Sequence, residues 1–111
     1  SVQSKLGARC LKISPNGAHL ATGDRNGNIR IYDLNHFESI CLIEAHDGEI
    51  LCLQYSQLES GRLLLASSSR DRLIHIFDAS RTTYDLVQIL DDHSAAITSV
   101  RFCYFPMPDN Q

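Results

Sequence analysis

Along most of this chain, short stretches in which apolar and polar residues alternate are separated by clusters of turn-forming residues, the pattern of strands with two distinct faces. Residues 8–14 alternate and then meet Pro15-Asn16-Gly17, where a fixed φ followed by φ-tolerant residues turns the chain. The same reading predicts strands at 18–22, 28–33 and, more weakly, 39–43. After the turn Ala45-His46-Asp47-Gly48 the pattern restarts, with strands at 49–56, 63–67, 73–78 and 84–90. Asp91-Asp92-His93-Ser94 repeats the histidine-containing turn, and residues 96–102 open a third cycle. Pro106 and Pro108, which cannot donate to a strand ladder, interrupt the pattern beyond it.

The cycles are copies of one another. Residues 66–78 read Ala-Ser-Ser-Ser-Arg-Asp-Arg-Leu-Ile-His-Ile-Phe-Asp, and residues 21–33 read Ala-Thr-Gly-Asp-Arg-Asn-Gly-Asn-Ile-Arg-Ile-Tyr-Asp. The alignment pairs Ala21 with Ala66, Arg25 with Arg70, Ile31 with Ile76 and Asp33 with Asp78. In each copy small residues close one strand, a polar cluster turns the chain, and an alternating run ending in Asp forms the next strand, which predicts a β-hairpin. Asn26-Gly27 is a strong hairpin signal and is expected to form the first turn, whereas Ser69 to Arg72 are expected to turn the second. Three strand openings also stack, with Leu11-Lys12-Ile13, Leu53-Gln54-Tyr55 and Val100-Arg101-Phe102 running apolar, polar, apolar.

A period of 45 to 47 residues, four strands per unit, a histidine turn before the first strand and an Ile-x-Ile-aromatic-Asp strand resemble the WD-repeat β-propeller family. The resemblance covers residues 7–103 and implies an all-β fold: a propeller fragment of two four-stranded antiparallel blades plus the first strand of a third. It divides the chain into a lead-in at 1–6, blades at 7–45 and 46–92, the opening strand of the next blade at 93–103 and an irregular segment at 104–111. In that family a turn histidine, a strand Ser or Thr, a hairpin Asp and an indole share a hydrogen-bonded network. Here His46, Ser67, Asp71 and Phe77 hold those places, and Phe77 has no hydrogen to donate. The first unit has Asn26 and Tyr32 where the family prefers Asp and Trp.

Glu44-Ala45-His46-Asp47, Ser69-Arg70-Asp71-Arg72-Leu73-Ile74-His75 and Leu90-Asp91-Asp92-His93-Ser94 are similar to a branch of tandem-propeller scaffolds within the family. That resemblance implies a non-catalytic scaffold tied to the Jun N-terminal kinase cascade and to spindle poles. Its partners would be a stress-activated MAP kinase module or spindle-pole proteins, together with the remaining blades of the same chain.

Composition narrows the function further. The 111 residues are 43% hydrophobic and 21% charged, in the globular range. A net charge of −3, with Lys5 and Lys12 the only lysines, argues against nucleic acid as a partner. No apolar run is long enough to span a bilayer, and Cys10, Cys41, Cys52 and Cys103 form no Cys-x-x-Cys pair, which points to a reduced, cytoplasmic protein with no membrane partner. Cys10 and Cys52 hold matching strand positions and read as small, partly buried fillers.

Five histidines raise the question of a metal, but His19, His36 and His75 have no Cys or carboxylate at ligand spacing, so no metal or other cofactor is expected. Asp24 to Asn28 imitate the start of a calcium loop, yet Ile29 and Asn35 stand where a glycine and a bidentate Glu are required. His46, Ser67 and Asp71 could be drawn as a catalytic triad, but no nucleophile elbow surrounds Ser67 and no enzyme is expected. The partner-binding candidates are turn charges. Arg25 and Arg70 precede the hairpin position in successive units, and Asp47 and Glu49 flank the histidine turn, a row suited to an acidic protein segment.

Overall fold

The computed structural model describes residues 8–91; the opening strand of a third blade, the lead-in and the proline-containing segment lie outside the described residues. Eight strands follow one another: β1 (Ala8–Ile13), β2 (His19–Asp24), β3 (Asn28–Asp33), β4 (Glu38–Glu44), β5 (Ile50–Gln57), β6 (Leu63–Ser69), β7 (Leu73–Asp78) and β8 (Asp85–Asp91). They form two four-stranded sheets in the orders β1-β2-β3-β4 and β5-β6-β7-β8, with antiparallel neighbours throughout. Among the described residues no helix is long and apolar enough to cross a membrane.

The repeat extends to irregularities of pairing. The first strand of each sheet shifts register near its start, between Ala8 and Cys10 and between Ile50 and Cys52. The third shifts again between Ile31 and Tyr32 and between Ile76 and Phe77. Such bulges increase local twist, so the two sheets are twisted at matching places.

Alternation along the strands builds the core between the sheets. Ala21, Ile29 and Ile31 of the first sheet pack with Ile50, Leu53, Tyr55, Leu65 and Phe77 of the second in one buried cluster. Leu64, Ala66, Ile74 and Ile76, at the intervening positions of β6 and β7, make a separate cluster. Every residue of β6 is buried, and the approach at Gly23 is close enough that a Cβ there would lie 2.5 Å from Ile50 Cγ2.

Two turns differ from the sequence reading. The first hairpin does not turn on Asn26-Gly27 as a two-residue pair. Arg25 and Asn26 make the turn, and Gly27 follows at φ 86°, its N–H facing Asp24 O at 3.4 Å. The twist of the flanking strands is then met by a single left-handed residue after the turn. In the second hairpin Ser69 belongs to β6, because it pairs with Ile50 and its hydroxyl donates to Gly48 O at 2.9 Å. Arg72 takes the left-handed position there, at φ 73°.

Candidate functional site

The β2–β3 turn, the β4–β5 connection and the β6–β7 turn meet at one end of the two sheets. Gly27 O accepts from His46 N at 3.0 Å and from Ala45 N at 3.2 Å, so the first hairpin is bonded to the histidine turn. That turn is bonded in its own right to the second hairpin, since Arg70 N donates to Glu49 O at 3.0 Å and Asp47 N to Asp71 Oδ2 at 3.1 Å. The meeting of three polar turns therefore rests on backbone bonds on both sides of the histidine turn, supplemented by the Asp71 carboxylate.

At the centre of this junction His46 is clamped from both sides. Its Nδ1 lies 2.9 Å from Asp71 Oδ2 and 3.1 Å from Asp71 Oδ1, while Nε2 lies 2.8 Å from Ser67 Oγ. A carboxylate can only accept, so Nδ1 carries the hydrogen and the Ser67 hydroxyl donates to Nε2. Asp71 also accepts from Leu73 N at 2.9 Å, and these donors hold its carboxyl below the usual range against the opposing effect of burial. Phe77 lies on the same face of its sheet, packed in the core between the two sheets and unable to extend the network.

The carboxylate, imidazole and hydroxyl are ordered as in a catalytic triad, but Ser67 is 0% exposed. A nucleophile must reach a substrate atom, and here the hydroxyl faces packed side chains. The arrangement can join the histidine turn to β6 and β7, and its geometry serves cohesion.

One member of this cluster was not singled out from sequence. The His75 ring stacks on His46 with centroids 4.0 Å apart and planes inclined by 30°. Its Nε2 is buried with no hydrogen-bond partner among the described residues. The period-two alternation of β7 places His75 on the face shared by Phe77 and, across the pair, Ser67; that signal was present, but a lone strand histidine carries no mark of what it will stack on.

Burial lowers the pKa of His46, outweighing the pull of Asp71 and Asp47 in the other direction, and burial with the neighbouring His46 lowers that of His75. Both stay neutral in the folded chain at a pH where the unfolded chain binds protons. Folding stability is therefore complete above 6.5, the ordinary histidine value, and is lost as pH falls below it through the folded values. The depressed Asp71 acts in the same direction lower down, below 3.8. Denaturant titrations should show stability falling below about pH 6.5 with a slope approaching 1.4 kcal/mol per pH unit for each histidine. A His75→Gln protein should show a shallower slope; an unchanged slope would assign the effect elsewhere.

The four charged candidates lie at or beside the three turns. Arg25 is exposed and makes no hydrogen bond or ion pair among the described residues. Asp47 is exposed, and its backbone N–H is held by Asp71. Arg70 has 68% of its side chain exposed and pairs with Glu49 through Nε–Oε1 at 2.9 Å. In the first hairpin the anchoring carboxylate is Asp24, earlier than Asn26, the position that the repeat alignment matches to Asp71. Its Oδ1 accepts from Asn26 N and Asn28 N, both at 2.9 Å, and its Oδ2 pairs with Arg30 at 2.9 Å. This occupies the carboxylate that a calcium loop would need. Among the described residues no group of three His, Cys, Asp or Glu is placed to hold a metal.

The described cysteines Cys10, Cys41 and Cys52 are unpaired and half-buried. Burial, with Cys52 nearby, pushes the Cys10 thiol up to about 11, which keeps it protonated and poorly nucleophilic.

Comparison with known proteins follows the same lines. The family model for the anaphase-promoting complex subunit 4 WD40 domain matches residues 1–58. WD repeat-containing protein 62 of Sus scrofa is 52% identical over 102 residues, covering 92% of this chain and 7% of the relative. Mitogen-activated protein kinase-binding protein 1 of Mus musculus is 55% identical over 98 residues, covering 88% of this chain and 6% of the relative. The solved structure of U3-55K superposes with a TM-score of 0.69 at 25% identity, over 83% of this chain and 27% of that one. The chain belongs to the WD40-repeat β-propeller family, and its two sheets are propeller blades. It spans only 6 to 7% of the length of these curated relatives.

Proposed function

We propose that these two blades are part of a propeller that serves as a non-catalytic protein–protein interaction scaffold, with the charged turn end as its contact surface. The observation that carries this reading is the junction of three turns. Bonded through backbone groups and the Asp71 carboxylate, it presents Arg25, Asp47, Glu49 and Arg70 on a surface whose shape is set before a partner arrives. Preorganisation of this kind reduces the ordering that binding must otherwise oppose. The remaining blades of a longer chain would complete the propeller, since closure takes at least four.

The finer assignment rests on relatives. Two of them carry the name mitogen-activated protein kinase-binding protein 1, at 55% and 53% identity, which supports a stress-activated MAP kinase module as the partner class. Spindle-pole proteins are the second partner class, implied by the sequence resemblance, and a cytoplasmic location accompanies both.

A second reading, in which the segment only completes the propeller, is favoured by the Arg70–Glu49 pair, which satisfies Arg70 within the chain. Replacing Arg25 and Arg70 together by Glu in the intact protein separates the two. Scaffolding through this end predicts lost partner capture with stability changed by less than about 0.5 kcal/mol, as for ordinary surface substitutions. Undiminished capture would favour the structural reading.

A further inference from the structure

At the opposite end of the strands a cleft of about 390 Å³ opens between the two blades. Its walls are the β1–β2 turn with Pro15 and Asn16, the β5–β6 loop, and the start of the β7–β8 loop with Arg81. Among the described residues no Asp or Glu lines it, although the chain as a whole is acidic. Its polar lining includes the donor groups of Arg81, His19 and Asn16 with apolar surface between them, while Gln57 Nε2 donates to Gly61 O at 3.5 Å and Ser80 Oγ accepts from Leu63 N at 3.0 Å.

Arg81 is exposed and makes no ion pair among the described residues. The carboxylates nearest in sequence are engaged elsewhere: Asp78 accepts from Ser80 N at 2.9 Å and faces Arg62 at 3.8 Å, and Asp85 accepts from Thr83 Oγ1 at 3.1 Å. Asn16 uses its carbonyl oxygen on Ser14 Oγ at 2.6 Å and on Ala18 N at 3.1 Å, which leaves its amide hydrogens as the free end.

His19 is set by a chain of phenols. Tyr55 Oη lies 2.7 Å from Tyr84 Oη, which lies 2.8 Å from His19 Nδ1. Both tyrosines are buried, and every hydroxyl hydrogen finds an acceptor only if Tyr55 donates to Tyr84 and Tyr84 donates to His19 Nδ1. That direction makes Nδ1 the acceptor and puts the imidazole hydrogen on Nε2. His19 lines the cleft, and its Nε2 has no partner among the described residues. A guanidinium, an oriented imidazole N–H and an amide therefore share one acid-free cleft, with Pro15, Leu63 and Ala79 supplying apolar wall.

We infer that this cleft binds the carboxylate side chain of an acidic residue, Asp or Glu, flanked by apolar residues in a segment of a partner protein. A single guanidinium assisted by neutral donors matches one negative charge. The inference rests on the scaffold reading only in assigning that carboxylate to a partner protein; its site is separate from the Arg25 and Arg70 end.

The test is protection of arginines from phenylglyoxal in the intact protein, followed residue by residue by mass spectrometry. N-acetyl-Glu-Leu amide should slow modification of Arg81 by roughly tenfold, the size of one charge-assisted hydrogen bond, and leave Arg25 unaffected. N-acetyl-Gln-Leu amide should protect neither, and a His19→Phe protein should lose most of the protection. Should that variant fail to fold, the Glu and Gln peptides on the unaltered protein still decide. Equal protection of Arg25 and Arg81, no protection, or equal effects of the two peptides would overturn the proposal. Stronger protection by the corresponding phosphoserine peptide would overturn the carboxylate assignment. If Arg81 is protected while the Arg25 and Arg70 replacements leave partner capture intact, the charged turn end is rejected and the cleft stands.

Discussion

Replacing Asp71 by alanine should destabilise these blades by about 3 kcal/mol, because one carboxylate ties the histidine turn to the second hairpin. Asp71 receives His46 Nδ1 at 2.9 Å, Asp47 N at 3.1 Å and Leu73 N at 2.9 Å. The His46 side chain is 0% exposed, so its Nδ1–H would be left without a partner where water does not reach. Asp71→Asn keeps one acceptor oxygen for His46 and Asp47 N but turns its NH2 toward Leu73 N, and should lose about 2 kcal/mol. Denaturant unfolding of both proteins checks the order. Equal losses would mean that charge, rather than the acceptor count, holds the junction.

Gly27→Ala should be comparably severe, at about 3 kcal/mol, for a different reason. Gly27 combines a φ of 86° with backbone packed against the histidine turn, where an added Cβ would run into the His46 carbonyl and lie 2.8 Å from Gly48 O. Gly61 supplies the control, since it has a φ of 92° but nothing within 4 Å of an added Cβ. Gly61→Ala should therefore lose only the strain of a left-handed residue, about 1 kcal/mol. If the two substitutions destabilise alike, the docking of the first hairpin on the histidine turn contributes little.

These two positions differ in how far they could be read beforehand. Asp71 was legible, because the repeat places it after Arg70 in a turn and the family resemblance assigns that place to a network with His46 and Ser67. Gly27 was legible as a turn residue but not as a contact, since alternation and turn chemistry describe a chain only to its nearest neighbours. The same limit explains the Ser69 difference: its composition suits a turn, but pairing with Ile50 extends the strand. It explains Asp24 as well. The repeat alignment pointed to Asn26, whereas the carboxylate that binds the first hairpin is the one whose oxygens reach Arg30 and the N–H groups of Asn26 and Asn28.

The amino-acid order by itself determined the strands of 8–91 and their grouping in fours, because these follow from alternation, turn residues and repetition. The tertiary structure alone decided which groups meet across the sheets. The stacking of His75 on His46, the ion pair of Arg70 with Glu49 and the relay from Tyr55 through Tyr84 to His19 depend on how two twisted sheets pack and where their turns converge. Contacts between residues far apart in the chain are set by sheet twist and side-chain volume acting together, and no local pattern carries that information.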